Sequence, residues 1–140
     1  MSPASGERPA PLLPDVDDPV AGPFWAAARE GRIAVQRCLT CGLLRYPPLV
    51  GCPDCLGRTF EWQDLRPTGT VWSFAVYHRA LHAAFTGQAP YTVAVVELDD
   101  GPRITARMVP GQRQVAVGDR VRATFEPVTA EVTLIRWQSL

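Results

Sequence analysis

The stretch Gln36–Cys55, QRCLTCGLLRYPPLVGCPDC, holds every cysteine of the 140-residue chain, as two Cys-x-x-Cys pairs with ten residues between them. Each pair can wrap a turn around a metal, and two such turns facing each other supply the tetrahedral sulfur shell that zinc accepts. Gly42 follows the first pair, Gly57 lies just beyond the second, and Pro53 stiffens the second turn. Glycine suits a chain that must turn under its own thiolates. The link GLLRYPPLVG is long enough for a short out-and-back excursion, and its YPP holds part of it extended. The pattern predicts a zinc ribbon with Cys38, Cys41, Cys52 and Cys55 as ligands of a structural Zn2+. A redox pair and an iron site are the alternative uses of the same thiols. Four thiolates close the metal shell, so no metal-centred chemistry is expected. Arg37 and Arg45 lie close enough in sequence to offset the surplus thiolate charge, solvent-facing arginines being the other reading.

Working outward, fourteen acidic residues balance fourteen arginines, and lysine is absent. The opening MSPASGERPAPLLPDVDDP has no basic start followed by an apolar run, so neither a signal peptide nor a membrane anchor is expected. A cytoplasmic location follows as the expectation, and in that reducing compartment paired Cys-x-x-Cys units are a usual way to present four thiolates rather than disulfides. Residues 1–19 read as a flexible, proline-rich segment. Residues 20–65 read as a helix and the ribbon, and residues 66–140 as a second, β-rich unit.

PVAGPFWAAAREGRI predicts a short helix, with Pro23 in its first turn, three alanines inside and Gly31 at its end. Phe24, Trp25 and Ala28 can share one face, either packed on the rest of the chain or docked on another subunit. IAVQR and RTFEWQ read as strands entering and leaving the ribbon. From Gly69 the apolar period becomes two. GTVWSFAVYH places Trp72, Phe74 and Val76 on one face, YTVAVVEL is almost continuously apolar, and PRITARMV follows a tight turn at Asp99–Gly101. DRVRATFEPV and EVTLIRWQ complete five strands, which suit a small antiparallel barrel of the OB type, with a plain sheet or SH3-like barrel as alternatives. The fold class is therefore mainly β: an N-terminal helix and a rubredoxin-like zinc ribbon followed by a five-stranded OB-fold barrel.

The connection RALHAAFTGQAP is too apolar for a routine solvent loop. Its Leu81 and Phe85 either cap a barrel end or form a surface for a partner or for the acyl or pantetheine part of a ligand. His78 and His82 have no paired carboxylate nearby in sequence, and no phosphate loop, nucleophile elbow or dinucleotide fingerprint occurs, so no catalytic residue is assigned. Ribbon and barrel modules often carry nucleic acid, but the arginines are scattered and neutralised, with no basic stripe to track phosphates. A single-stranded nucleic-acid module is thus the less favoured reading.

FWAAAREGRIAVQRCLTCGLLRYPPLVGCPDC, followed in order by GTVWSFAVYHR, PYTVAVVELDDGPRI and VGDRVRATFE, resembles the DUF35 family of zinc-ribbon/OB-fold, acyl-CoA-associated proteins. The resemblance spans about residues 20–137. It implies an accessory subunit of a thiolase-like enzyme, preferably a steroid side-chain aldolase, with thiolases, acyltransferases or hot-dog-fold hydratases as other partners and acyl-CoA at a shared site. It implies metal ligation by the four cysteines and places Phe24 and Trp25 in the family's helical segment. With Leu81 and Phe85 these are the expected partner contacts. VPGQRQ after Met108 departs from the family's smooth, glycine-rich hairpin.

Overall fold

The computed structural model describes residues 12–140. Residues 1–11 of the expected flexible segment lie outside the described residues. The remainder of that segment is turned back on itself by its acids: Asp15 Oδ1 accepts from the Asp17 N–H, and Asp18 Oδ1 accepts from the N–H groups of Val20 and Ala21 at 2.8 Å each. Those bonds satisfy backbone donors ahead of helix α1, Gly22–Arg29, whose first turn holds Pro23. Phe24, Ala27 and Ala28 form its buried face, and Gly31, at φ 76°, ends it. The helix is short, so its position depends on that face being covered.

Strand β1 (Ile33–Cys38) is the centre of a three-stranded antiparallel sheet, flanked by the two-residue β2 (Leu44–Arg45) and by β3 (Phe60–Leu65). Five further strands close a barrel: β4 (Thr68–Tyr77), β5 (Tyr91–Leu98), β6 (Arg103–Met108), β7 (Arg120–Pro127) and β8 (Thr133–Ser139), in the order β4-β5-β6-β8-β7. All pairings are antiparallel except β6 with β8, and β4 to β7 closes the ring. This is the OB-type topology expected from the alternation. Closure crowds β4 against β5: a Cβ on Gly69 would lie 2.4 Å from the Glu97 carbonyl oxygen, so only glycine fits.

One expectation fails inside β4. The strand is bulged between Val71 and Ser73, which pair with Val96 and Val95 in turn, so Trp72 is the extra residue. A bulge inverts the alternation beyond it. Gly69 and Val71 face inward before it, Phe74 packs on the core after it, and Trp72 is extruded at 52% exposure with the Arg103 guanidinium 3.8 Å from its ring centroid. Trp72 therefore does not share the inner face with Phe74 and Val76.

The buried apolar side chains form one cluster running from Phe24 through Ile33, Val35 and Leu65 of the ribbon to Val71, Val96, Ile104, Val121 and Trp137 of the barrel. Trp137, fully buried, is its largest member. The VPGQRQ segment is tied to the end of the barrel, because the Gln112 side-chain oxygen accepts from the Ser139 N–H at 2.9 Å and Val115 is buried.

The β5–β6 turn is locked by charge. Asp99 receives both Nη atoms of Arg120 (2.6 and 2.9 Å) and the Thr68 hydroxyl (2.6 Å), joining the turn to β4 and β7. The Arg120 hydrogen bonds, then the Thr68 hydroxyl, hold the Asp99 carboxyl well below the usual carboxylate range. A depressed folded-state pKa gives stability that is complete above the unfolded value, about 3.9, and is lost as pH falls through the folded one. Asp99→Asn should therefore lower the melting temperature at pH 7, and the gap to wild type should narrow steadily in melts below about pH 4. A gap that stayed constant down to pH 2 would show that the carboxylate charge is not what locks the turn.

Candidate metal centre and contact surfaces

The four cysteines come together at one end of the ribbon. Cys38 ends β1, Cys41 follows in the first turn, and Cys52 and Cys55 bracket the second. Cys38 Sγ lies 3.6 Å from Cys55 Sγ and Cys41 Sγ 3.6 Å from Cys52 Sγ, with all four sulfurs within 4.8 Å of one another. These separations are too long for disulfides, about 2.05 Å. They match the edge of a tetrahedron with metal–sulfur bonds of about 2.3 Å, which is about 3.8 Å. The donors and their spacing thus fit one tetrahedral ion.

The two turns are built alike. The residue after the second cysteine of each is in the left-handed region, Gly42 at φ 79° and Leu56 at φ 65°. The N–H groups of Cys41 and Thr40 pull the Cys38 thiol down to about 6 against the effect of burial, and those of Cys55 and Asp54 lower Cys52 likewise. Cys41 is lowered by the Leu43 N–H, but burial and the sulfurs of Cys52, Cys55 and Cys38 outweigh it and push the thiol up to about 12. Cys55 is raised too: the Gly57 N–H opposes the shift, and burial with the Cys38 and Cys52 sulfurs prevails. The buried pair is acidic and the exposed pair resists ionising beside it. A divalent cation removes that conflict by stabilising all four thiolates together.

Neither arginine expected near the thiolates serves them. Arg37 pairs with Glu61 directly across β3. Arg45 is buried: its Nε donates to Gln36 Oε1 at 2.8 Å, its Nη2 to the Leu49 carbonyl at 3.1 Å, and its guanidinium lies 5.0 Å from the Phe60 centroid. Gln36 Oε1 also accepts from the Leu49 N–H at 2.8 Å. This clamp folds the link between the cysteine pairs back onto β1. Nothing in the spacing of the cysteines marks Gln36, because its role depends on standing opposite Arg45 in the sheet register.

The expected partner contacts divide. Phe24, at 2% exposure, belongs to the core, where it packs edge-on to Trp25 (5.0 Å) and against Tyr46 (5.2 Å); it offers no surface to a partner. Trp25 is half-buried beside it. In the Arg79–Pro90 connection a single 3-10 turn, Ala83–Phe85, seats Phe85 partly against Tyr91 and leaves Leu81 at 64% exposure. His82 Nδ1 accepts from the Ala84 N–H at 3.0 Å and so caps that turn. His78 is exposed, with no hydrogen-bonded carboxylate among the described residues. Exposed Leu39, Val50 and Leu56 ring the metal end, and with Trp72 they are surface apolar groups that periodicity does not reveal.

Two outcomes test this centre. Cys38→Ser and Cys55→Ser should each remove a ligand, reduce bound metal from one ion per chain to a minor fraction, and loosen the ribbon, as read by elemental analysis and circular dichroism. Full metal content with unchanged folding in either variant would exclude a four-sulfur site. Separately, Gln36→Leu removes the acceptor shared by the buried Arg45 Nε and the Leu49 N–H and should cost about 1–3 kcal/mol in denaturant unfolding while leaving metal stoichiometry intact.

Residues 25–61 match the family described as ChsH2, rubredoxin-like zinc ribbon domain, and residues 62–126 match ChsH2, C-terminal OB-fold domain. A chain of the solved Ltp2-ChsH2(DUF35) aldolase is 30% identical and superposes with a TM-score of 0.78 over 90% of this chain and 98% of that one. The benzoylsuccinyl-CoA thiolase subunit BbsA of Thauera aromatica is 33% identical over 107 residues, 74% of this chain and 69% of the relative. The probable enoyl-CoA hydratase alpha subunit of Thermomonospora curvata is 42% identical over 89 residues, 61% of this chain but only 27% of the length of that protein. The two family matches fall on the ribbon and on the barrel in that order, and the chain belongs to the DUF35 family, with the ribbon and barrel of the ChsH2 type.

Proposed function

We infer that this chain is a non-catalytic accessory subunit that binds and supports an enzyme acting on acyl-CoA substrates. The preferred partner is a thiolase-like steroid side-chain aldolase catalysing retro-aldol carbon–carbon cleavage. The observation that carries the reading is the overlay on nearly the whole of a chain from an aldolase, while relatives at similar identity belong to a thiolase and a hydratase. Aldol cleavage, thiolysis and hydration need different catalytic groups. A module common to all three supplies something other than the chemistry, such as stability, a wall of the entrance or a grip on the shared coenzyme. The ion at the four cysteines is zinc in this reading, held closed and structural. A reducing, cytoplasmic setting suits four unbridged thiols, and no helix among the described residues is long and apolar enough to cross a membrane.

Docking falls to side chains that retain surface: Trp25 beside the core and Leu81 with Phe85 on the barrel connection. A stable interface buries on the order of 1,200–2,000 Å², with aromatic anchors near its dry centre. A thiolase, an acyltransferase or a hot-dog-fold hydratase is the alternative partner, distinguished by which subunit co-purifies from the native cell.

The purified chain alone should show no turnover of acyl-CoA substrates, yet should co-elute with the catalytic subunit and raise its activity. Trp25→Ala and Phe85→Ala should remain folded and weaken that assembly in light scattering, whereas Phe24→Ala should cost about 3–5 kcal/mol of stability as a core truncation. Turnover by the isolated chain at an ordinary enzyme rate, roughly 1–1,000 per second, would refute the accessory role.

A further inference from the structure

The two cysteine turns are built alike except at one position. Where the first turn has Gly42 at φ 79°, the second has Leu56 at φ 65°, the only non-glycine residue in the left-handed region among those described. A side chain there crowds the backbone, whereas glycine occupies the region freely. The fold draws no packing from the leucine in return. Leu56 is 82% exposed, the most exposed of the large apolar side chains described. Strain kept at a position whose side chain points into solvent is the mark of a contact outside the chain.

Leu56 does not stand alone. Leu39 follows Cys38 in the first turn, Leu49 and Val50 lie just ahead of Cys52, and all three are exposed. From residue 39 to residue 57 the charged side chains are Arg45, which is buried, and Asp54. A protruding end this apolar and this poor in charge differs from an ordinary solvated face. It also continues into the rest of the surface: the run from Tyr46 to Pro48 leads from Leu49 back to the helix, where the Tyr46 ring lies 5.2 Å from that of Phe24, with half-buried Trp25 on its other side.

We propose that the metal end of the ribbon is a knob that enters an apolar cleft of the catalytic subunit, with Leu56 at its tip and Leu39, Leu49 and Val50 around it. The identity of the partner rests on the accessory role inferred above. A second copy of this chain fits less well, because four aliphatic side chains that are already partly covered expose less than the roughly 600 Å² per partner that a stable interface needs. Two tips in contact therefore fall short. A larger partner can cover the tip and, along the Tyr46–Pro48 run, Trp25 in one footprint.

Leu56→Gly decides the matter, because fold and interface respond to it differently. It restores the residue type of the first turn, so metal content, circular dichroism and melting temperature of the full, metal-loaded chain should be unchanged. Binding to the co-purified catalytic subunit, measured by titration calorimetry, should weaken about tenfold through the loss of one buried leucine. Leu39→Gln and Val50→Gln should weaken it in the same direction, and Val117→Gln, at a comparably exposed valine ahead of β7, should not. Unchanged affinity in folded Leu56→Gly would overturn this surface and leave the assembly standing. Faster metal release to a chelator with assembly unchanged would do the same, making Leu56 a shield for the sulfurs. A dimer of the chain alone at micromolar concentration, dissolved by Leu56→Gly, would give the tip to a second copy and also overturn the proposal. A wild-type chain with no affinity for the catalytic subunit rejects the accessory role and this surface together.

Discussion

The closure of four sulfurs on one another is the constraint from which the rest of the molecule hangs. The ribbon has a two-residue strand on one side and a ten-residue link on the other, too little apolar surface to hold its own shape. One ion held by Cys38, Cys41, Cys52 and Cys55, whose sulfurs lie within 4.8 Å of one another, would fix both turns at the end of β1. With that end fixed, β1 and β3 present Ile33, Val35 and Leu65 to the barrel, and the helix lays Phe24 over the seam. Metal binding at the sulfurs and core formation would therefore reinforce each other along one strand.

What the sequence made legible was whatever depends on spacing. The cysteine pairs, the alternating strands, the turn at Asp99–Gly101 and the glycine that ends the helix are local signals, and each stands in the structure where its spacing puts it. The departures share a different cause. Trp72 leaves the inner face because one residue is added to β4 relative to β5, a fact of pairing that no single strand displays. Phe24 and Trp25 are equally aromatic neighbours, and only the barrel's position decides that one is core and the other half exposed. Arg45 looks like a counter-charge for thiolates, but the register across β1 and β2 gives it Gln36 instead.

The surfaces left over are those an accessory subunit can use without chemistry of its own. The candidate histidines are a turn cap and an exposed side chain, and the acids that are strongly held, Asp99 and Asp100, are bound into ion pairs with Arg120 and Arg66 that fasten the barrel turn. The two aspartates are thus committed to architecture.

The ribbon sheet, unlike the barrel, has open sides. Among the described residues β3 pairs only with β1, so a row of backbone donors and acceptors along Phe60–Leu65 is left without a strand partner, the arrangement through which sheets recruit foreign strands. That side carries Glu61 and Asp64, each held in an ion pair by Arg37 and Arg32, and Pro67 stands just beyond its end. Charged side chains along this edge strand and the proline after it therefore disfavour pairing with a strand of another molecule.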